Sequence, residues 1–186
     1  MNKIILASQS PRRKELMKLL ELDFIVTKSD IEEIFDKSLE AHEMAMDLAS
    51  QKAKDVAKFF DDSIVLGFDT IVVYQDNILG KPKDNEDAKY MLKMLSGKKH
   101  QVITGVAINY HSKEETFYAS TDVVFRDISD DEIDLYIRSN EHLDKAGSYG
   151  IQGKAAKFVK EIYGDFYNVM GLPVSALYQA LKKYQE

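Results

Sequence analysis

Ser8-Gln9-Ser10-Pro11-Arg12-Arg13 places two hydroxyls and two guanidinium groups within six residues. Ser10 has N-cap chemistry and Pro11 suits the first helical position, so a helix should start here. Arg12 and Arg13 then fall in its first turn, where the helix dipole is already positive. Each cation there costs a few tenths of a kcal/mol, up to about 1. An anion at the same point removes that cost. Ser8, Ser10, the free backbone N–H groups and the two arginine forks therefore read as a polyphosphate cradle. The competing reading is an exposed helix start whose arginines snorkel into water.

Asp69 is the second residue with chemical meaning. It lies within Ile64-Val65-Leu66-Gly67-Phe68-Asp69-Thr70-Ile71-Val72-Val73, an apolar and β-branched run. A carboxylate in a buried strand needs a metal, a cation or several donors. It reads either as a metal ligand or general base, or as half of a structural ion pair. Gly67 leaves room on the same face, because strand side chains alternate. Lys52 projects with Ala45, Leu48, Ala49 and Val56 onto the apolar face of a helix. A lysine there pairs with a carboxylate, serves a cleft holding an anion, or packs its stem and sends its ammonium to water. Glu32 and Glu33 are adjacent acids in a polar stretch. They are either solvated, or one supplies oxygen to a hard cation such as Mg2+, which takes a few carboxylates plus substrate phosphates. Lys81, between Gly80 and Pro82, either reaches phosphate or is an exposed turn lysine. Ala146 to Gly153 holds three glycines, so its backbone can approach a ligand closely or simply make a tight connection. Within it, Gln152 offers a donor and an acceptor that suit a nucleobase edge. No Gly-Lys-Ser/Thr closes this loop, so it is not a Walker loop. The four histidines have no ligand spacing.

The elements that must carry these residues alternate between strand and helix, which favours an α/β fold. Ile4 to Ala7 reads as a buried strand. The helix after Ser10 should turn Leu16, Met17, Leu19 and Leu20 inward. Phe24 to Val26 reads as a short strand, 28–40 as an acidic loop, and Ala41 to Phe60 as a helix. Ile64 to Tyr74 reads as a central strand, turning at Gln75-Asp76-Asn77 into a return through Ile78-Leu79. Asp84 caps a helix from Asn85 to Ser96 that Gly97 ends. Gln101 to Tyr110 and Glu115 to Arg126 read as long strands joined around Ser112-Lys113. Ser129 caps a helix from Asp130 to Arg138, Phe158-Val159 opens a strand, and Pro173 starts a terminal helix.

Composition sets the outer bounds. At 186 residues the chain should be one domain, or two small lobes around one sheet. Its net charge of −6 argues against a general nucleic-acid or membrane-surface binder. There is no cysteine, which excludes disulfides and thiolate chemistry and fits a cytoplasmic location. No leader-like apolar segment opens the chain, and no apolar run reaches the length of a membrane span.

Taken together, these segments resemble the Maf family of nucleoside triphosphate pyrophosphatases. The resemblance spans essentially all of residues 1–186, read as a single domain. It rests on Leu6 to Leu16, Gly67-Phe68-Asp69-Thr70, Gly80-Lys81-Pro82, Leu95-Ser96-Gly97, Val102 to Val106, Asp144 to Gly153 and Val169 to Pro173, in that order. It implies a long twisted mixed sheet flanked by helices, two lobes around a cleft, similar to the inosine triphosphate pyrophosphatases. It also implies cleavage of a nucleoside triphosphate between the α- and β-phosphates. Asp69 matches the family's proton acceptor, and Arg12, Thr70 and Gln152 match positions that separate substrate classes, here the dTTP/UTP branch. Phe68 departs from the family's usual alanine; it points away from Asp69, so repacking rather than lost chemistry is expected.

The resulting expectation is metal-assisted hydrolysis. Glu33 and Asp69 hold Mg2+ or Mn2+, and Asp69 orients or deprotonates water. Ser8, Ser10, Arg12, Arg13, Lys52 and Lys81 bind phosphate, while Arg12, Thr70 and Gln152 set specificity. The expected partners are dTTP and UTP, with modified pyrimidine nucleotides as further targets. No nucleic acid or membrane is expected, and a homodimer is. Members of the family are also linked to arrest of septum formation. The rival reading is a non-enzymatic nucleotide-binding regulator of septum formation.

Overall fold

The computed structural model describes residues 2–184. Among them, β1 (Lys3–Leu6), β2 (Phe24–Val26), β3 (Ser63–Tyr74), β4 (Asn77–Leu79), β5 (Lys99–Tyr110), β6 (Lys113–Phe125) and β7 (Val159–Tyr163) form one sheet. The order is β2-β1-β3-β5-β6-β7, with β4 paired to β3. β1 runs parallel to both β2 and β3, whereas β4 on β3 and β7 on β6 are antiparallel. The mixed α/β architecture expected from the alternation is therefore present.

Six α-helices accompany the sheet among the described residues: α1 (Pro11–Lys18), α2 (Ala41–Ala57), α3 (Asn85–Leu95), α4 (Asp130–Ile137), α5 (Phe166–Val169) and α6 (Val174–Leu181). Their starts follow the cap chemistry. Ser10, Asp84 and Ser129 each accept a backbone N–H three residues on. α2 opens on a capping box between Glu40 and Glu43. None of these helices is long and apolar enough to cross a membrane.

Several details differ from the sequence reading. Leu19 is 55% exposed, because it caps α1 where the chain leaves the helical path. α2 stops at Ala57, and Phe59 and Phe60 donate to carbonyls three residues back in a tightened turn. Phe158 closes a 3-10 turn, so β7 starts at Val159. The four-residue α5, capped by Asp165, is too short to leave a helical period in the sequence.

The chain divides into two compact units. The first comprises Met1–Thr70, Thr104–Ala119 and Gly171–Glu186, and the second Ile71–Ile103 and Ser120–Met170. The second unit has an apolar core of α3, α4 and strand residues, including Leu92, Leu95, Val123, Phe125, Tyr136 and Phe158. In the first unit, Ile5, Ala7 and Val65 pack against Ala49, Ala53 and Val56 of α2.

That helix lies unusually close to the sheet, and two glycines account for it. A Cβ on Gly67 of β3 would stand 2.2 Å from the Ala49 carbonyl oxygen and 2.9 Å from the Ala53 Cβ. A Cβ on Gly105 of β5 would stand 2.1 Å from the Ala45 carbonyl oxygen. Ala45, Ala49 and Ala53 are spaced four apart, share one helical face and are fully buried. Small residues on both sides thus bring the α2 backbone against β3 and β5.

Candidate active site

Because α2 sits so near β3, Lys52 reaches the strand residue two beyond Gly67. Its Nζ donates to Asp69 Oδ1 at 2.5 Å and lies 3.1 Å from Glu33 Oε1. The lysine and Asp69 side chains are 16% and 14% exposed, so the pair is largely but not wholly withdrawn from water. Of the readings open for Lys52, the structure shows the carboxylate partner. Three sequence-selected residues, Glu33, Lys52 and Asp69, thus meet at one point.

Burial pushes the Asp69 carboxyl above its ordinary value; Lys52 and then Arg13 pull it back, and Glu33 adds to the rise. A partly desolvated carboxylate held beside cations, with some access to water, is suited to accept a proton.

The other face of β3 carries Phe68 and Thr70, and there α1 docks. Arg13 turns inward rather than toward solvent. Its Nε donates to the Gly171 carbonyl at 2.8 Å, Nη1 to Ser8 Oγ at 3.3 Å and Nη2 to Thr70 Oγ1 at 3.0 Å. Its guanidinium carbon stands 5.7 Å from the centre of the Phe68 ring, a cation–π distance. Burial lowers its pKa to about 10, with Asp69 opposing, and it stays charged at neutrality. Phe68 is fully buried, on the strand face away from Asp69.

Ser8 accepts from Arg13 and from the Ser10 N–H at 3.3 Å, which leaves its own hydroxyl proton to donate. Ser10 caps α1 through the Arg13 N–H, and Arg12 is half-buried in the first turn. Thr70 shares a 3.0 Å hydrogen bond with Thr104, which is fully buried. Thr104 and the Gly171 carbonyl escaped the sequence reading. A hydroxyl within the apolar Val102 to Val106 run was the available signal for Thr104. A carbonyl acceptor leaves no signal at all.

The remaining candidates belong to the second unit. Lys81 is exposed just after β4, and Gln152 is exposed in the glycine-containing loop. The two segments are tied by the Gly147 N–H donating to the Gly80 carbonyl at 3.1 Å. Gly147 has φ +64, and a Cβ there would press on Val72 at 2.9–3.0 Å, so this glycine is required by backbone and packing alike. Ser8, Ser10, Arg12, Arg13, Glu33, Lys52, Asp69 and Thr70 all lie in the first unit.

Among the described residues no three His, Cys, Asp or Glu side chains gather as a metal site. Asp69 and Glu33 do present carboxylate oxygens to one cation, the Lys52 ammonium. Two carboxylates with substrate phosphates and water are the environment Mg2+ prefers, so the pair fits such an ion.

Comparison with known proteins gives the same direction. The model of the family described as Maf-like protein matches residues 3–184. A Bacillus cereus protein named dTTP/UTP pyrophosphatase is 53% identical over 184 residues, covering 99% of this chain and 96% of the relative. A Bacillus cytotoxicus protein of the same name matches equally, with the same coverage. Among solved structures, the Staphylococcus aureus Ham1 protein aligns with TM-score 0.58 at 14% identity, over 98% of this chain and all of that one. A HAM1 protein from Coxiella burnetii aligns with TM-score 0.53 at 17% identity, again over 98% and 100%. At such identities these two speak for the fold alone. The full-length family match and the high identity across almost every residue make the chain a member of the Maf-like protein family.

Proposed function

We propose that this protein is a nucleoside triphosphate pyrophosphatase that hydrolyses dTTP and UTP to the monophosphate and pyrophosphate. The observation that carries the reading is the Lys52–Asp69–Glu33 cluster, in a chain 53% identical to proteins named for that activity. A non-enzymatic nucleotide sensor has no need of a desolvated carboxylate poised to take a proton.

In this mechanism Asp69 accepts a proton from the water attacking the α–β anhydride. The anhydride bond breaks and its electron pair leaves with pyrophosphate. Arg12, Lys52 and the Ser8 hydroxyl, with the α1 N-terminus and its Ser10 cap, neutralise charge that grows on the leaving group. Arg13 adds its charge while holding Ser8 and Thr70 in place. Asp69 and Glu33 would hold Mg2+ or Mn2+, which would supply further positive charge against the phosphate oxygens. Lys81 as a phosphate contact, and Arg12, Thr70 and Gln152 as specificity residues, rest on the family resemblance. On the same reading the protein acts in the cytoplasm on free nucleotides, including modified pyrimidine nucleotides, as a homodimer.

The test is pyrophosphate release from dTTP, UTP, CTP, ATP, GTP and 7-methyl-GTP, with and without Mg2+ or Mn2+. Metal-dependent turnover confined to dTTP and UTP is expected. Tight nucleotide binding without turnover of any of them would overturn the enzyme reading.

A further inference from the structure

The loop between β2 and α2 carries Glu33 but buries little apolar surface of its own. Ile34 and Phe35, which follow Glu33, are 72% and 58% exposed. A segment without apolar anchoring opens readily unless polar contacts fix it. One stripe of α2 supplies them. Gln51 Oε1 accepts the Ile34 N–H at 2.9 Å, and its Nε2 donates to the Ile34 carbonyl at 2.8 Å. The amide thus closes a two-bond pair on the residue beside Glu33. Its Nε2 also donates to Asp47 Oδ2 at 2.6 Å, one turn earlier, which sets the orientation of the amide. One turn later, Asp55 Oδ2 accepts from the Ser29 hydroxyl at 2.9 Å and the Asp30 N–H at 3.3 Å. Residues 47, 51 and 55 are spaced four apart and so line one stripe of the helix. Lys52 adjoins that stripe. The helix that aims Lys52 at Asp69 therefore also fixes the loop that aims Glu33 at Lys52.

We infer that Gln51 is a positioning residue of this enzyme: through Ile34 it registers Glu33 against the Lys52–Asp69 pair, with Asp47 and Asp55 completing the strip. Gln51 has no part in binding substrate. The inference rests on the proposed role of Glu33 at the site, and its test separates the two.

Gln51→Met keeps the length of the side chain and removes both bonds to Ile34. Amide hydrogen exchange across residues 29–36 of the free protein should accelerate about tenfold, the scale of one or two lost hydrogen bonds. Thermal unfolding should stay close to wild type. The Mg2+ concentration for half-maximal pyrophosphate release from dTTP should rise about tenfold, with kcat at saturating Mg2+ changed less than about twofold. In a Glu33→Gln background the same substitution should add almost nothing, because both act through one group. Asp55→Asn, which preserves volume, should loosen residues 29–30 by a smaller factor. Unchanged exchange across 29–36, or effects of Gln51→Met and Glu33→Gln that multiply independently, would overturn the inference. If the wild-type protein releases no pyrophosphate from any nucleotide, the proposed function fails instead, and the exchange measurement still decides whether Gln51 fixes the loop.

Discussion

Replacing Lys52 by methionine removes the ammonium from between Asp69 and Glu33 while keeping most of the stem that packs on the α2 face. Two unit charges about 4 Å apart, at the effective dielectric of about 20 that suits partly buried pairs, attract by about 4 kcal/mol. That figure corresponds to about three pH units of carboxyl titration. It is an upper figure, because Arg13 remains to stabilise the Asp69 carboxylate and the side chains keep some contact with water. The Asp69 carboxyl of the variant therefore titrates higher. Asp69 must be ionised to take a proton, and loss of the cation disfavours that form. The acid limb of kcat/KM against pH, measured by pyrophosphate release from dTTP, should therefore move to higher pH. Stability should carry the same signature. Asp69 is already raised in the folded state, so its contribution is present at low pH and is lost as pH rises through the folded value. Raising it further should destabilise the folded state at pH values above the ordinary carboxyl range, measured by urea unfolding. The deficit should shrink on acidification and vanish for this group below its ordinary value of 3.8. A variant whose rate falls equally at every pH, with the acid limb unmoved, would refute the reasoning. Lys52 would then serve substrate alone, and Asp69 would not be the titrating base.

Asp69→Asn keeps shape but cannot accept the proton, so kcat for dTTP should fall by about 10²-fold or more with nucleotide binding retained in calorimetry; wild-type turnover would remove Asp69 from the mechanism. Gly67→Ala inserts a methyl 2.2 Å from the Ala49 carbonyl oxygen and must push α2 outward. It should cost about 1–3 kcal/mol in urea unfolding and reduce kcat, because Lys52 moves with the helix; unaltered stability would refute the close-approach argument. Arg13→Lys retains the charge but cannot span the Gly171, Ser8 and Thr70 acceptors. A loss of about 1–3 kcal/mol is expected, and a variant as stable as wild type would show that the fork is dispensable. Phe68→Ala empties a fully buried site, so thermal denaturation should show a loss of about 3–5 kcal/mol. Its catalytic pH profile should be unchanged, because the ring lies on the face away from Asp69.

The parts of this site that were legible in the sequence are those where a residue's chemistry conflicts with its surroundings. Asp69 inside a β-branched run and Lys52 on an apolar helical face are each costly alone, and the structure resolves both costs by joining them. Gly67 was legible only as space; what fills that space is a backbone carbonyl of α2, and no side-chain pattern encodes it. Arg13 shows the limit more sharply. Its place in the first turn of α1 indicates an anion, yet it donates to a carbonyl and two hydroxyls supplied from the segment before α6, β1's end and β3. Helical periodicity reports which way a residue leaves its own helix, but not how far a long side chain bends to meet distant segments. Gln51 was invisible for the converse reason. A glutamine on a half-buried helical face conflicts with nothing, so its two bonds to Ile34 become evident only once the Glu33 loop is seen lying across α2. The residues that bear charge at this site thus announce themselves through energetic cost, whereas those that hold the charged residues in register are ordinary residues in ordinary places, and geometry alone identifies them.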